Sequence, residues 1–286
     1  MSRERAESRR RKLVVDGTAK LVMYVFLSVV GLTMIIPFLW MVSTSLKEPG
    51  SVFVFPPKWI PSPAVWENYR NAWTAIPFGR FYLNSIAVGL SVTFGQVFTS
   101  ALAAYAFARL RFPGRDKLFF GYLATMMIPG SVTMIPVFIL LRMMRLIDTY
   151  TALILPGIFS AYGTFMLRQF FMSLPRELEE AAKIDGCSLF GIFWRIILPL
   201  SKPALATITT FTFMGSWNNF MWPLIVTNSM ELKTLPIGLA AFQGQYSTDW
   251  TLLMAGSIIV LLPVLILFVF NQRFFVEGIQ LGAVKG

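Results

Sequence analysis

Six stretches of the chain contain no Asp, Glu, Lys or Arg. They run approximately Leu21 to Thr44, Phe81 to Ala108, Leu118 to Leu141, Thr149 to Leu167, Pro203 to Val226 and Trp250 to Phe270. A helix that crosses a bilayer needs about 20 mostly apolar residues, so each stretch qualifies as a span. The fourth is interrupted by Pro156 and Gly157, which spanning helices tolerate where neighbours satisfy the freed backbone groups. Composition agrees. Over 286 residues, 56% are hydrophobic and 14% charged, and the mean hydropathy is +0.64. One water-facing globule cannot bury that much apolar surface. The chain has no histidine, which excludes His triads, His metal sites and His proton relays. Its single cysteine, Cys187, excludes an internal disulfide and any CxxC motif.

Charge sets the orientation. Residues 1–20 carry seven Lys or Arg, and the apolar run that follows is too long for a cleaved signal and has no small-residue cleavage site. With the N-terminus inside, the inner segments hold 18 of the 25 Lys and Arg residues. The outer segments hold Lys47, Lys58, Arg70, Arg80, Arg142, Arg145 and Lys233. The positive-inside rule then predicts six spans with both termini in the cytoplasm. It also explains most of the net charge of +11 without a nucleic-acid partner. The outer segment 45–80, rich in Pro and Trp, suits a loop with short helical pieces near the membrane surface. Residues 227–249 form a second outer loop.

The most informative segment is the inner loop before the fifth span. Residues 173–203 read SLPRELEEAAKIDGCSLFGIFWRIILPLSKP. Pro175 suits a first helical turn. Glu177, Glu179 and Glu180 then sit where the helix dipole favours negative charge. Glu179 and Lys183 form a favourable i, i+4 pair, and Gly186 is a natural stop. The helix has one face of Leu178, Ala181, Ala182 and Asp185, and another of Arg176, Glu179, Glu180 and Lys183. A second amphipathic helix is expected from Ser188 to Leu198, ended by Pro199, with Ser201 capping the next span. On pattern alone this is a solvated connector.

Glu180-Ala181-Ala182, Gly186, Ile196 and Leu198-Pro199 resemble, at every specified position, the EAA loop of ABC importer permeases. In that family the loop is a coupling helix that docks into a groove of the ATP-binding subunit. The resemblance implies that role for Glu180, Ala181, Ala182 and Gly186, with Asp185 on the alanine face completing the set. It extends along the chain through Asn84-Ser85, Ala104-Tyr105-Ala106-Phe107-Ala108-Arg109, Phe112-Pro113-Gly114, Ile128-Pro129, Ile135-Pro136, Asp148-Thr149-Tyr150, Trp217-Asn218-Asn219-Phe220, Pro223-Leu224 and the closing residues 278–286. This pattern is similar to the smaller permease of carbohydrate importers of the maltose-transporter type. Asn219 departs from it, since an acidic residue is common there.

The absences sharpen the expectation. No GxxxxGK[ST] phosphate loop occurs, so the chain cannot bind and split ATP in that way. No ionisable group lies within a span, which argues against proton- or ion-coupled carriers. Sodium sites built from carbonyls and hydroxyls stay open. The in-span polar residues are neutral, among them Asn84, Ser91, Thr93, Gln96, Thr99, Ser160, Tyr162, Thr164, Asn218 and Asn219. Amides and hydroxyls exchange hydrogen bonds with sugar hydroxyls, and aromatic rings stack on sugar faces. Asn84, Gln96, Trp217, Asn218 and Asn219 are the pathway candidates. Each taken singly reads more readily as interhelical packing, and the set as a whole reads as a route for a neutral hydrophilic solute.

The expected protein is an all-α, polytopic membrane protein with six transmembrane helices and the type I ABC importer permease fold. Its regions are a cytoplasmic tail at 1–20, a permease domain at 21–270 with its coupling loop at 171–202, and a cytoplasmic tail at 271–286. The resemblance implies a multi-pass subunit of a bacterial or archaeal cytoplasmic (inner) membrane, surrounded by lipid. Its partners would be a second homologous permease, two ATP-binding subunits and an extracellular or periplasmic sugar-binding protein. No cofactor would be bound by this chain; ATP and Mg would be used by the ATPase partners. The alternatives are an ion-coupled secondary carrier, and an ABC importer of another solute such as glycerol phosphate.

Overall fold

A computed structural model describes the backbone of residues 2–244 and 247–283, and the side chains of 17–244 and 247–272. The expected tails at 1–20 and 271–286, and the closing motif at 278–286, therefore lie largely outside the described side chains. Among the described residues the chain is helical, with no β-strand. The helices are α1 (Ser2–Ser45), α2 (Glu67–Thr74), α3 (Phe78–Arg109), α4 (Arg115–Ala124), α5 (Gly130–Met143), α6 (Tyr150–Ile154), α7 (Ala161–Ser173) and α8 (Glu177–Ile184). They continue as α9 (Leu189–Leu200), α10 (Lys202–Trp217), α11 (Met221–Val226), α12 (Leu235–Ala240) and α13 (Trp250–Ala283). Three helical segments are long and apolar enough to cross a membrane unaided: Gly17–Ser45, Phe78–Arg109 and Trp250–Gln272. Three bent pairs qualify jointly, giving six crossings when each pair is one span.

The bends correct the expected spans. The third was expected as one stretch, 118–141, but turns by 99° between Met127 and Gly130. Pro129 has no N–H and drives Ile128 to extended backbone, φ −86° and ψ 115°. The fourth bends by 40° and runs on to Ser173, past the expected Leu167. Its break is completed at Ser160, whose hydroxyl accepts from the Gly163 N–H at 3.0 Å and starts α7. The fifth was expected to reach Val226, but α10 ends at Trp217. Asn219 Oδ1 then accepts from the Trp222 N–H at 3.2 Å and opens the separate helix α11.

Two compact units emerge, Met1–Ala72 with Gln245–Ile258, and Trp73–Gly244 with Ile259–Gly286. In the first, the apolar side chains of α1 from Leu21 to Leu39 are mostly exposed, as lipid-facing residues are. The helix end is tied to its loop. Asn68 donates to the carbonyls of Ser45 and Lys47 at 2.9 and 2.8 Å. The Lys47 ammonium lies 3.8 Å from the centroid of the Trp40 ring, and burial pushes its pKa down.

In the second unit α3 is the hub, and α7 and α10 pack along it. Ala101, Ala104 and Ala108 present a small-residue face, with Tyr105 packed beside it. That face lets helices approach closely, which drives association where lipid removes the usual hydrophobic gain. Leu167 and Phe171 of α7, Ile192, Phe193 and Ile197 of α9, and Ala204 and Ile208 of α10 close over it. Nearer the other end of α3, Val88 and Val92 pack with Leu141, Ala152, Leu153 and Val226. Gly157 belongs to this approach, since a Cβ there would stand 2.9 Å from Val92 Cγ1.

Candidate functional site

Two places on this unit are candidates for function, one at the C-terminal end of α3 and one beside its middle. The first is α8. Its first turn holds Glu177, Glu179 and Glu180, matching the dipole, and Lys183 lies in its last turn. Pro175 stands one residue outside the helix, before the cap position of Arg176. The helix stops at a left-handed Gly186, φ +76°. The Cys187 N–H reaches the Ala182 carbonyl at 2.8 Å, and the Gly186 N–H reaches that of Lys183 at 3.0 Å. These two bonds form a Schellman closure.

The faces of α8 differ from the sequence expectation. Glu179 was placed on the solvated side, paired with Lys183. It instead turns inward and forms an ion pair with Arg109, Nε to Oε1 at 2.9 Å, with side chains 2% and 8% exposed for Arg109 and Glu179. The contact has the distance of an ion pair without the angle of a hydrogen bond. The Arg109 guanidinium also donates, through Nη2, to the carbonyls of Phe171 and Leu174. Ala182 turns partly inward with Glu179. Leu178, Glu180, Ala181, Ile184 and Asp185 remain exposed, with Ile184 87% exposed.

The following helix also differs. α9 does not end at Pro199 but runs to Leu200, widening to a π-turn over Phe193–Ile197. The Leu198 N–H bonds to the Phe193 carbonyl, five residues back. This wider turn directly precedes the proline, whose ring and missing N–H disturb a regular ladder. Ser201 does not cap α10 with its side chain; its hydroxyl is buried without a hydrogen-bond partner.

Arg109 was counted only as a topological charge. A signal was present, since Ala101, Tyr105 and Arg109 recur every fourth residue and continue one buried face.

The second place is a cavity of about 890 Å³ walled by α3, α5, α7, α10 and the segments around α11. Its polar wall residues are Gln96, Ser131, Thr133, Tyr162, Thr212, Ser216 and Asn219, and Phe211 and Trp222 add aromatic rings. No Asp, Glu, Lys or Arg lines it. Gln96 Nε2 donates to Thr212 Oγ1 at 2.8 Å.

The five sequence-predicted pathway residues separate. Gln96 and Asn219 stand on the cavity wall. Asn218 is exposed and off that wall. Asn84 is buried, donating to the carbonyls of Glu231 and Lys233 at 2.7 and 2.8 Å and accepting from the Tyr150 hydroxyl at 2.7 Å. It straps down the segment around Glu231–Lys233. Trp217 is 1% exposed, with its Nε1 donating to the Val260 carbonyl at 3.1 Å. Its ring contacts Phe213 and Tyr82. Residues missed by sequence reasoning are Ser131, Thr133, Thr212 and Ser216, which the bends bring to one wall.

Residues 96–277 match the family described as the binding-protein-dependent transport system inner membrane component. The chain belongs to that family. Among its relatives is the arabinooligosaccharides transport system permease protein AraQ of Halalkalibacterium halodurans. The two are 39% identical over 245 residues, covering 85% of this chain and 86% of that protein. The sn-glycerol-3-phosphate transport system permease protein UgpE of Yersinia pestis is 38% identical over 246 residues, 83% and 87% of the two chains. A crystal structure of a bacterial ABC transporter involved in import of the acidic polysaccharide alginate contains a chain with the same fold. The TM-score is 0.81, at 24% identity, over 91% of this chain and 97% of that one. This inner membrane component is thus an all-helical, multi-pass permease of an ABC importer.

Proposed function

We propose that this permease forms part of the passage for a neutral carbohydrate in an ATP-driven, binding-protein-dependent importer. The observation that carries the reading is the cavity: roomy, walled mainly by apolar side chains such as Val92, Met134 and Ile208, with amides, hydroxyls and rings set among them, and lined by no charged side chain among the described residues. Such a wall matches the alternating hydroxyls and apolar faces of a sugar. A phosphate-bearing solute, as in the glycerol-phosphate relative, would call for Arg or Lys at the wall, and this chain lines it with neither. An oligosaccharide, as in the arabinooligosaccharide relative, fits the wall better.

The drive comes from outside the chain. Of two ATP-binding subunits, using ATP and Mg, one would dock on the exposed face of α8 around Ile184, Ala181 and Asp185, with Glu180 offering charge. A second homologous permease would complete the passage, and an external sugar-binding protein would deliver solute to it. The segments 1–20 and 271–286 would lie in the cytoplasm, with 21–270 as the membrane domain. ATP binding would draw the ATPases together, move α8 and open the cavity outward; hydrolysis would reset it. The chain itself does no covalent chemistry in this scheme.

The test is co-purification from mildly solubilised native membranes. The expected companions are a phosphate-loop ATPase and a second multi-span permease, with the ATPase lost in Ile184→Glu. An ATPase that stays bound at full yield in that variant contradicts docking through α8.

A further inference from the structure

We propose that Arg109 and Glu179 form a strut that makes α8 and α3 move as one body, carrying the stroke of the coupling helix to the cavity wall at Gln96. The proposal rests on the reading of α8 as the docking helix. It assigns these two buried residues a positioning role in coupling.

One guanidinium joins three segments. Arg109 is the last residue of α3. Its Nη2 donates to the carbonyls of Phe171 and Leu174, where α7 ends. Its Nε faces Glu179 of α8 at 2.9 Å. A second tie lies beyond Gly186, where the Tyr105 hydroxyl of α3 donates to the Leu189 carbonyl at 3.1 Å. Connections to α3 therefore bracket the Schellman turn that ends α8. Helix α3 runs unbroken from Arg109 back to Gln96, a distance of about 20 Å at 1.5 Å per residue. Any movement of α8 that keeps the pair intact must displace α3.

The charges matter for the kind of joint they make. Apolar surfaces slide past one another at little penalty, because each new register offers similar contacts. A buried ion pair has one favourable register, and a slip leaves two charges unpaired and poorly solvated. The joint therefore resists shear along the contact, as a load-transmitting link requires. A pair serving stability alone would be replaceable by apolar residues of similar size.

The experiment uses the assembled transporter with Cys187→Ser and spin labels at Lys183→Cys and Arg111→Cys, both exposed positions beside the joint. The strut predicts one label-to-label distance, unchanged between nucleotide-free and ATP-trapped complexes. The double variant R109L/E179L, keeping volume but losing the register, is expected to retain its ATPases, broaden that distance, and lower solute moved per ATP by about tenfold. The exchange R109E/E179R is expected to recover coupling relative to either single reversal. A distance that changes with nucleotide in the unsubstituted joint overturns the strut. So does a leucine pair that transports at the normal ratio. ATPase binding undiminished by Ile184→Glu overturns the docking reading and the strut with it.

Discussion

Helix α3 handles polarity in opposite ways at its C-terminal end and at its middle. At the Arg109 end, full charges are taken out of water and paired, and the neighbouring backbone carbonyls are drawn into the same cluster. At its middle, around Gln96, the polar groups are neutral, and some remain open to a cavity. Under the proposed function, the difference follows from what each place would do. A buried ion pair binds strongly to one partner and releases it at high penalty. Amides and hydroxyls make weaker bonds, which a solute can form and leave. In the proposed scheme, charge is placed where a fixed geometry is held, and neutral polarity where a solute would pass.

Breaking one charge of the pair should have the largest effect. Glu179→Leu alone leaves Arg109 buried without its counter-ion, and is expected to destabilise the folded subunit by about 3–5 kcal/mol. Thermal unfolding of the detergent-solubilised complex would read this. A loss no greater than that of R109L/E179L would show that the pair is not electrostatically coupled. Gly186→Val comes next. The site is sterically open, with nothing within 4 Å of an added Cβ, so the penalty is that of the left-handed backbone alone, about 1–2 kcal/mol. Its signature is loss of ATPase association with membrane insertion intact.

At the cavity the expected effects are smaller. Gln96→Leu removes the bond to Thr212, about 1 kcal/mol, and one polar group from the wall. It is expected to raise the KM for uptake several-fold while leaving ATPase binding unchanged. If Gln96→Leu instead lowers ATPase association, the separation between the two places fails. Asp148→Asn, in the turn before α6, sets the floor. Backbone N–H groups of Ser229 and Asn228, with the Ser229 hydroxyl, hold the Asp148 carboxyl below its usual pKa. That contribution is fully present above the unfolded carboxylate pKa of about 3.9. It is lost as pH falls through the lower folded value. The Asn variant should show a shallower acid limb in its unfolding temperature.

What could be read in advance follows from how far each interaction reaches along the chain. The six stretches, the acidic first turn of α8 and the stop at Gly186 are local, and the residues that make them are neighbours. The bend at Ile128-Pro129 was visible as a proline, but its 99° turn depends on what packs around it. The inward turn of Glu179 was hidden because both faces of α8 carry polar residues, so periodicity could not say which one is covered. Its partner lies 70 residues earlier, in a position that also served to count charges. The cavity was the least legible part. Gln96 and Thr212 are 116 residues apart, and neutral residues give no sign of whether they face a neighbour or a passage. Asn84 and Trp217 illustrate this: both are polar or aromatic groups within predicted spans, and both are tied to backbone carbonyls.

The most direct test is uptake by proteoliposomes holding this permease with its partner permease and ATPases, the binding protein outside, and labelled oligosaccharide supplied. The account predicts accumulation that requires ATP on the α8 side and persists when ion gradients are collapsed. Accumulation that ignores ATP and vanishes with the ion gradient would contradict it.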